Sequence, residues 1–141
     1  MNSIKLHYDV DGEDFTRAGE ASASVKKTLR QLGVDPGAIR KVAIALYEGE
    51  INMVIHAHGG VIDVEISPEW VTMTLADHGK GIPDIELAMQ EGYSTAPDEV
   101  RSLGFGAGMG LSNMKKNSDV MKIDSTVGVG TTVFMKVKLS S

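Results

Sequence analysis

The sequence predicts an α+β fold, a two-layer sandwich in which helices cover one face of a single mixed, mostly antiparallel sheet. Three observations lead there. Apolar residues alternate with polar ones in short β-rich runs, four of which fall as two hairpins, Val61 to Ile66 with Trp70 to Ala76 and Val120 to Asp124 with Thr131 to Leu139. Helical spacing is confined to the stretches before the first hairpin and between the two. With 141 residues, 42% of them hydrophobic, and no repeat or linker-like tract, the chain encloses one core, so residues 1–141 read as a single domain.

Taken in order, Ile4, Leu6, Tyr8 and Val10 alternate with polar residues as a first strand, ended by Asp11-Gly12. Phe15, Ala18, Val25, Leu29 and Leu32 then recur at helical spacing, with Gly33 placed as the stop. Asp35-Pro36 reads as an N-cap with proline at the first helical position, opening a helix carried to about Ala57 and closed by Gly59-Gly60. Ser67-Pro68-Glu69 turns the first hairpin, and Asp77 lies where its second strand gives out. Pro83 to Gln90 reads as a short helix, whereas Glu91 to Phe105 has no hydrophobic period and reads as a mobile loop. A helix from about Met109 to Asn117 precedes the second hairpin, whose turn is Val127-Gly128-Val129-Gly130.

Composition removes several classes of function. Lys plus Arg number 14 against 19 Asp plus Glu, a net charge of −5, which leaves no wide basic surface for nucleic acid or anionic lipid. The absence of cysteine removes disulfides, thiolate metal sites and thiol nucleophiles together. Neither an apolar signal region after Met1 nor a run near the ~20 residues of a membrane span is found, so the expected compartment is the cytoplasm.

Glycine is concentrated in the predicted loops of the second half. The run Gly104-Phe105-Gly106-Ala107-Gly108-Met109-Gly110 suits a concavity of backbone N–H groups around a polyphosphate, or else a flexible linker. It matches neither a P-loop, which needs Gly-Lys-Ser/Thr, nor the dinucleotide fingerprint, which needs an apolar strand just before it. Glu48, Asn52 and His56 are spaced i, i+4, i+8 and share one helix face, where a carboxylate and an amide oxygen a turn apart suit a Mg²⁺ that also takes phosphate oxygens and water, with His56 as a hydrogen-bonding neighbour, unless the face is simply solvated. His56 and His58 point about 200° apart on a helix, which argues against zinc, and His7 and His78 have no evident partner. In Asp77-His78-Gly79-Lys80-Gly81-Ile82 the carboxylate either accepts a hydrogen bond from an exocyclic amine such as adenine N6 or leads a turn.

In this order the segments resemble the GHKL nucleotide-binding superfamily of histidine kinases, gyrase-type ATPases, Hsp90 and MutL, with its Bergerat-type ATP-binding fold. Glu48-Gly49-Glu50-Ile51-Asn52-Met53-Val54-Ile55-His56 looks like the N box, Asp77-His78-Gly79-Lys80-Gly81 the first glycine box, and Gly106-Ala107-Gly108-Met109-Gly110-Leu111 the second. Gly128-Val129-Gly130-Thr131-Thr132-Val133 is similar to the closing Gly-x-Gly-Thr segment. Within the superfamily the likeness is to small bacterial anti-sigma-factor serine kinases and switch kinases, through His56, Gly92-Tyr93-Ser94-Thr95, Leu111 to Lys116 and Ser125 to Thr131.

That resemblance implies ATP and Mg²⁺ as cofactors. Asp77 and Thr131 would read the adenine, with Gly79 and Gly81 letting the backbone pass close to the base. Asn52 would hold Mg²⁺ on the phosphates, Gly106, Gly108 and Gly110 would donate backbone hydrogen bonds, and Glu48 would be the general base for an acceptor serine. The implied substrate is a STAS-domain protein, with a sigma factor or a regulatory phosphatase as further partners and a homodimer as an allowed assembly. Two other classes stay open: an ATP-gated binding module without phosphate transfer, and a stand-alone catalytic domain of histidine-kinase type.

Overall fold

The computed structural model describes residues 3–12, 17–57, 59–79, 81–82, 89 and 110–139, without the side chains of residues 56 and 57. Its elements are β1 (Ile4–Asp11), α1 (Glu20–Gln31), α2 (Pro36–Ala57), β2 (Gly59–Ile66), β3 (Trp70–Asp77), α3 (Gly110–Lys116), β4 (Val120–Thr126) and β5 (Gly130–Lys138). The strands form one sheet in the order β1-β2-β3-β5-β4, and every neighbouring pair is antiparallel. Where the sequence allowed a mixed sheet, hairpin and return connections make it antiparallel throughout the described residues. The short helix expected over Pro83 to Gln90 and the mobile loop expected over Glu91 to Phe105 lie outside the described residues, Met89 apart.

Alternation decides which face is covered. Ile62, Val64 and Ile66 of β2, Val71, Met73 and Leu75 of β3, and Val133, Met135 and Val137 of β5 are buried against the helices. The opposite face carries Thr72, Thr74, Phe134 and Lys136, with the Lys136 ammonium 4.4 Å from the centroid of the Trp70 ring. Leu29, Leu46 and Met114 close the core from the helical layer.

The helix ends follow their local chemistry with one exception. Asp35 caps α2 as expected, its carboxylate accepting the Ala38 N–H at 3.2 Å. Gly33 stops α1 in the left-handed region at φ +74°, while the Val34 N–H reaches back to the Leu29 carbonyl at 3.1 Å. The start of α1 departs from its sequence pattern. The helix begins at Glu20, so Ala18 precedes it and Leu32 follows it, 49% exposed; Phe15 lies outside the described residues. Its N-cap, Gly19, offers no side chain. Instead Glu50 of α2, only 3% exposed, accepts the N–H groups of Ala21 and Ser22, both at 3.1 Å. A carboxylate from another helix thus supplies both the missing cap and the negative charge that a helix start favours.

His7 does have partners, which pairing of β1 with β2 provides. Its Nδ1 lies 2.6 Å from Asp63, directly opposite in register, and its Nε2 lies 3.4 Å from Asp9. The hydrogen bond to Asp63, then that to Asp9, raises the His7 pKa above its ordinary 6.5. The protonated form therefore favours the folded state, and this stabilisation is complete below 6.5 and fades as pH rises through the raised value.

Two measurements check these interactions. Glu50→Ala is expected to lower unfolding free energy by roughly 2–4 kcal/mol in denaturant titrations, because it strands two amides at a buried helix end, with Glu50→Gln losing less. Asp63→Asn is expected to flatten the decline of stability above pH 6.5; an unchanged pH profile would remove His7 from it.

Candidate functional site

Glu48 and Asn52, one turn apart on α2, both face α3. Asn113 of α3 donates its side-chain N–H to Glu48 Oε1 at 3.5 Å, a long bond that still orients the carboxylate. The Asn52 amide nitrogen lies 3.9 Å from Met114 Sδ. Gly110, at the start of α3, sits directly on that amide: a Cβ there would lie 2.9 Å from Nδ2 and 3.0 Å from Oδ1. An amide oxygen beside a carboxylate on one face suits a hard cation that also takes phosphate oxygens and water, so these residues fit Mg²⁺.

The other half of the site is built on the end of β3. Asp77 Oδ1 accepts the N–H of Gly79 at 2.9 Å and that of Thr131 at 3.1 Å. The first bond makes the turn after β3, and the second ties it to the start of β5. The turn is therefore compatible with a further donor on Asp77, because Oδ1 serves both backbone bonds. Gly130 allows this junction: at φ +149° its backbone passes so near the Asp77 carbonyl that a Cβ would overlap it. Gly81 packs as closely on β4, where a Cβ would lie 2.6 Å from the Thr126 carbonyl.

The two halves meet over Gly60. A Cβ there would stand 2.7 Å from Met53 Cε and 3.0 Å from Asp77 Cα, so the Met53 side chain of α2 packs on β2 beside the end of β3. Glu48, Asn52 and Gly110 thus lie on the helical side, and Asp77, Gly79, Gly81 and Thr131 on the strand side of one end of the sheet. Gly106 and Gly108 lie outside the described residues, and the His56 side chain is likewise not described.

Three participants were not singled out from sequence. Asn113 touches Glu48, Glu50 caps α1, and the Ser125 hydroxyl sits 2.8 Å from Thr131 Oγ1 while accepting the Ile82 N–H at 2.7 Å. The signal that could have found Ser125 was its place in β4, opposite Thr131 in the hairpin register.

Known proteins resemble this chain in sequence and in fold. The profile of a family described as histidine kinase-, DNA gyrase B- and HSP90-like ATPases matches residues 37–141. The chain is 33% identical to an anti-sigma F factor of Clostridium novyi over 99% of this chain and 96% of that one. It is 35% identical to an anti-sigma F factor of Clostridium beijerinckii, covering 98% and 94%. In fold it resembles a crystal structure of the RsbU and RsbW domains of a Mycobacterium tuberculosis protein, with a TM-score of 0.65 and 19% identity over 98% of this chain and 33% of that chain. Among the described residues no helix is long and apolar enough to cross a membrane.

Gly110→Ala isolates the contact between α3 and Asn52. It keeps the backbone N–H but displaces a side-chain amide on which α3 rests, so stability should fall by about 1 kcal/mol, leaving the protein folded, while Mg-ATP affinity, read by calorimetry, falls about tenfold. Equal affinity would separate the Asn52 amide from nucleotide binding.

Proposed function

Since the chain belongs to the histidine kinase-, DNA gyrase B- and HSP90-like ATPase family, we propose that it is a cytoplasmic, ATP- and Mg²⁺-dependent serine protein kinase that phosphorylates a STAS-domain antagonist in a partner-switching pathway. A sigma factor is its further partner in this reading. The relatives named anti-sigma F factor, matched along nearly their whole length, support it.

The observation that carries the kinase reading is the arrangement on α2. Glu48 is half-buried, held by Asn113, one turn from Asn52. Bound Mg-ATP supplies the phosphoryl group and the neutralisation of its charge. Asn52 would hold the cation through its amide oxygen, while Asp77 Oδ2 and Thr131 would read the base. Glu48 orients the incoming serine hydroxyl and takes its proton as the oxygen attacks, a role that requires hydrogen-bond reach. Gly79 and Gly81 shape the base side, and the amides of Gly106, Gly108 and Gly110 are assigned to the phosphates by the likeness of their motif.

An ATP-gated binding module would need the nucleotide contacts but not a carboxylate positioned at Glu48. Incubation with labelled ATP and a STAS protein encoded nearby separates the two, because a gated module leaves its partner unphosphorylated. Glu48→Gln should retain ATP affinity and lose roughly 10² to 10⁴ in transfer rate, whereas Asn52→Ala should impair nucleotide binding as well. Full-rate transfer by Glu48→Gln would remove Glu48 from the chemistry, and wild-type protein that binds both ligands without transfer would exclude the kinase.

A further inference from the structure

The outer side of the helical layer carries a charge opposite to that of the whole chain. Between Glu20 and Glu48 stand five basic residues, Lys26, Lys27, Arg30, Arg40 and Lys41, against a single acid, Asp35, in a chain whose net charge is −5. Lys26 is half-buried and the other four are exposed. None of the five makes an ion pair among the described residues, whereas Glu20 is paired with Arg17 at 3.3 Å and the Asp35 carboxylate accepts the Ala38 N–H. The positive charge therefore faces solvent without a local counter-charge.

Packing gathers these charges beside the site. The start of α1 is tied to Glu50 of α2 through the Ala21 and Ser22 amides, and its other end turns into α2 within four residues, so α1 runs back along α2. Arg30, in the last turn of α1, and Arg40, in the second turn of α2, thus lie at the same end of the helix pair. From there Arg40, Ile44, Tyr47 and Glu48 follow at i, i+4, i+7 and i+8 and form one stripe along α2. Tyr47 is 40% exposed and leans on the start of α1, where a Cβ on Gly19 would stand 3.1 Å from its ring. The stripe ends at Glu48, about 12 Å along the helix from Arg40.

We propose that this basic face docks the acceptor protein, taking an acidic surface of that protein that lies about 10–15 Å from the hydroxyl it offers to Glu48. This rests on the kinase reading. A protein that brings a hydroxyl to Glu48 also covers what borders it. On one flank stands Asn113 of α3, and on the other the stripe leading back through Tyr47 to Arg40. Uncompensated lysines and arginines there favour negative charge on whatever lies against them. Five charges bounded by Glu20 and Glu48 do not make the wide basic surface that a nucleic-acid backbone requires, so the fitting partner is a protein. Charges this exposed contribute little one by one, but together they speed association and are screened by salt.

The test combines Arg30→Glu with Arg40→Glu and measures binding and phosphorylation of a STAS protein encoded nearby. The double variant should weaken binding and raise KM about tenfold, with kcat and Mg-ATP affinity within about twofold of wild type. Raising salt to about 0.5 M should erase most of that difference. Arg30→Gln with Arg40→Gln, which removes charge without reversing it, should lose about threefold and takes the place of the glutamate pair if that does not fold. A difference that persisted in high salt, or that lowered Mg-ATP affinity equally, would overturn docking in favour of a structural role. Unchanged affinity and KM in both variants, with wild-type transfer intact, would overturn the docking face and leave the kinase reading standing. Lost binding to heparin or to phosphatidylserine vesicles, with STAS binding unchanged, would overturn it in favour of a polyanion. Wild-type protein that binds the STAS protein and Mg-ATP without transfer would overturn the kinase reading and the acceptor role of this face with it.

Discussion

Where α2 packs on Leu75 of β3 it presents a glycine. A Cβ at Gly49 would run into Leu75 Cδ2 and stand 3.3 Å from Met114 Cε, so any side chain there would lift α2 from β3 and push α3 aside. The residues on either side of it are both glutamates, which helical geometry sends about 200° apart. Glu50 goes to the amides of α1 and Glu48 to Asn113 of α3. One glycine thus sets the depth of the helix, and its two acidic neighbours divide between architecture and the site. The buried Glu50 carboxylate is tolerable because two helix-end N–H groups replace the water it has lost.

Much of this was legible in the sequence, for reasons that particular elements make clear. The alternation in β2, β3 and β5 placed each strand because one face is buried and the other is not, so a shift of one residue would have inverted the whole pattern. Asp35-Pro36 and Gly33 marked helix ends because their chemistry acts within four residues. The start of α1 was misplaced because its cap arrives from Glu50, 29 positions away, where a local pattern has nothing to report. His7 looked partnerless for the same reason. Its partner Asp63 becomes a neighbour only when β1 pairs with β2.

The site was legible as an order of motifs rather than as a set of contacts. Asp77 and Thr131 could be named from their segments, yet the bond between them spans 54 positions and exists only because β3 and β5 are adjacent. Sequence posed base recognition and turn formation as alternatives for Asp77, and the structure shows the turn, with Oδ1 accepting the Gly79 and Thr131 amides. Met53 shows the converse. A long side chain in the helix of the N box is accommodated because it packs on Gly60, where no Cβ competes for the space. Neither residue alone could have indicated it.

The helix α3 explains why the two halves of the site are not independent. At seven residues it is too short to persist by propensity alone, so its position depends on what it rests against. Gly110, Asn113 and Met114 share one face, and that face meets Asn52 and Glu48 of α2. Asn52 and Glu48, for which we propose the cation and the acceptor hydroxyl, are therefore the same residues that hold α3 in place. The strand side has a matching anchor, since the Ile82 amide is bound by Ser125, which also touches Thr131. The chain between Ile82 and Gly110 thus departs from one half of the site and returns at the other. Asn52, against Gly110, and Ser125, bound by the Ile82 amide, are the contacts that fix the two described residues on either side of that segment.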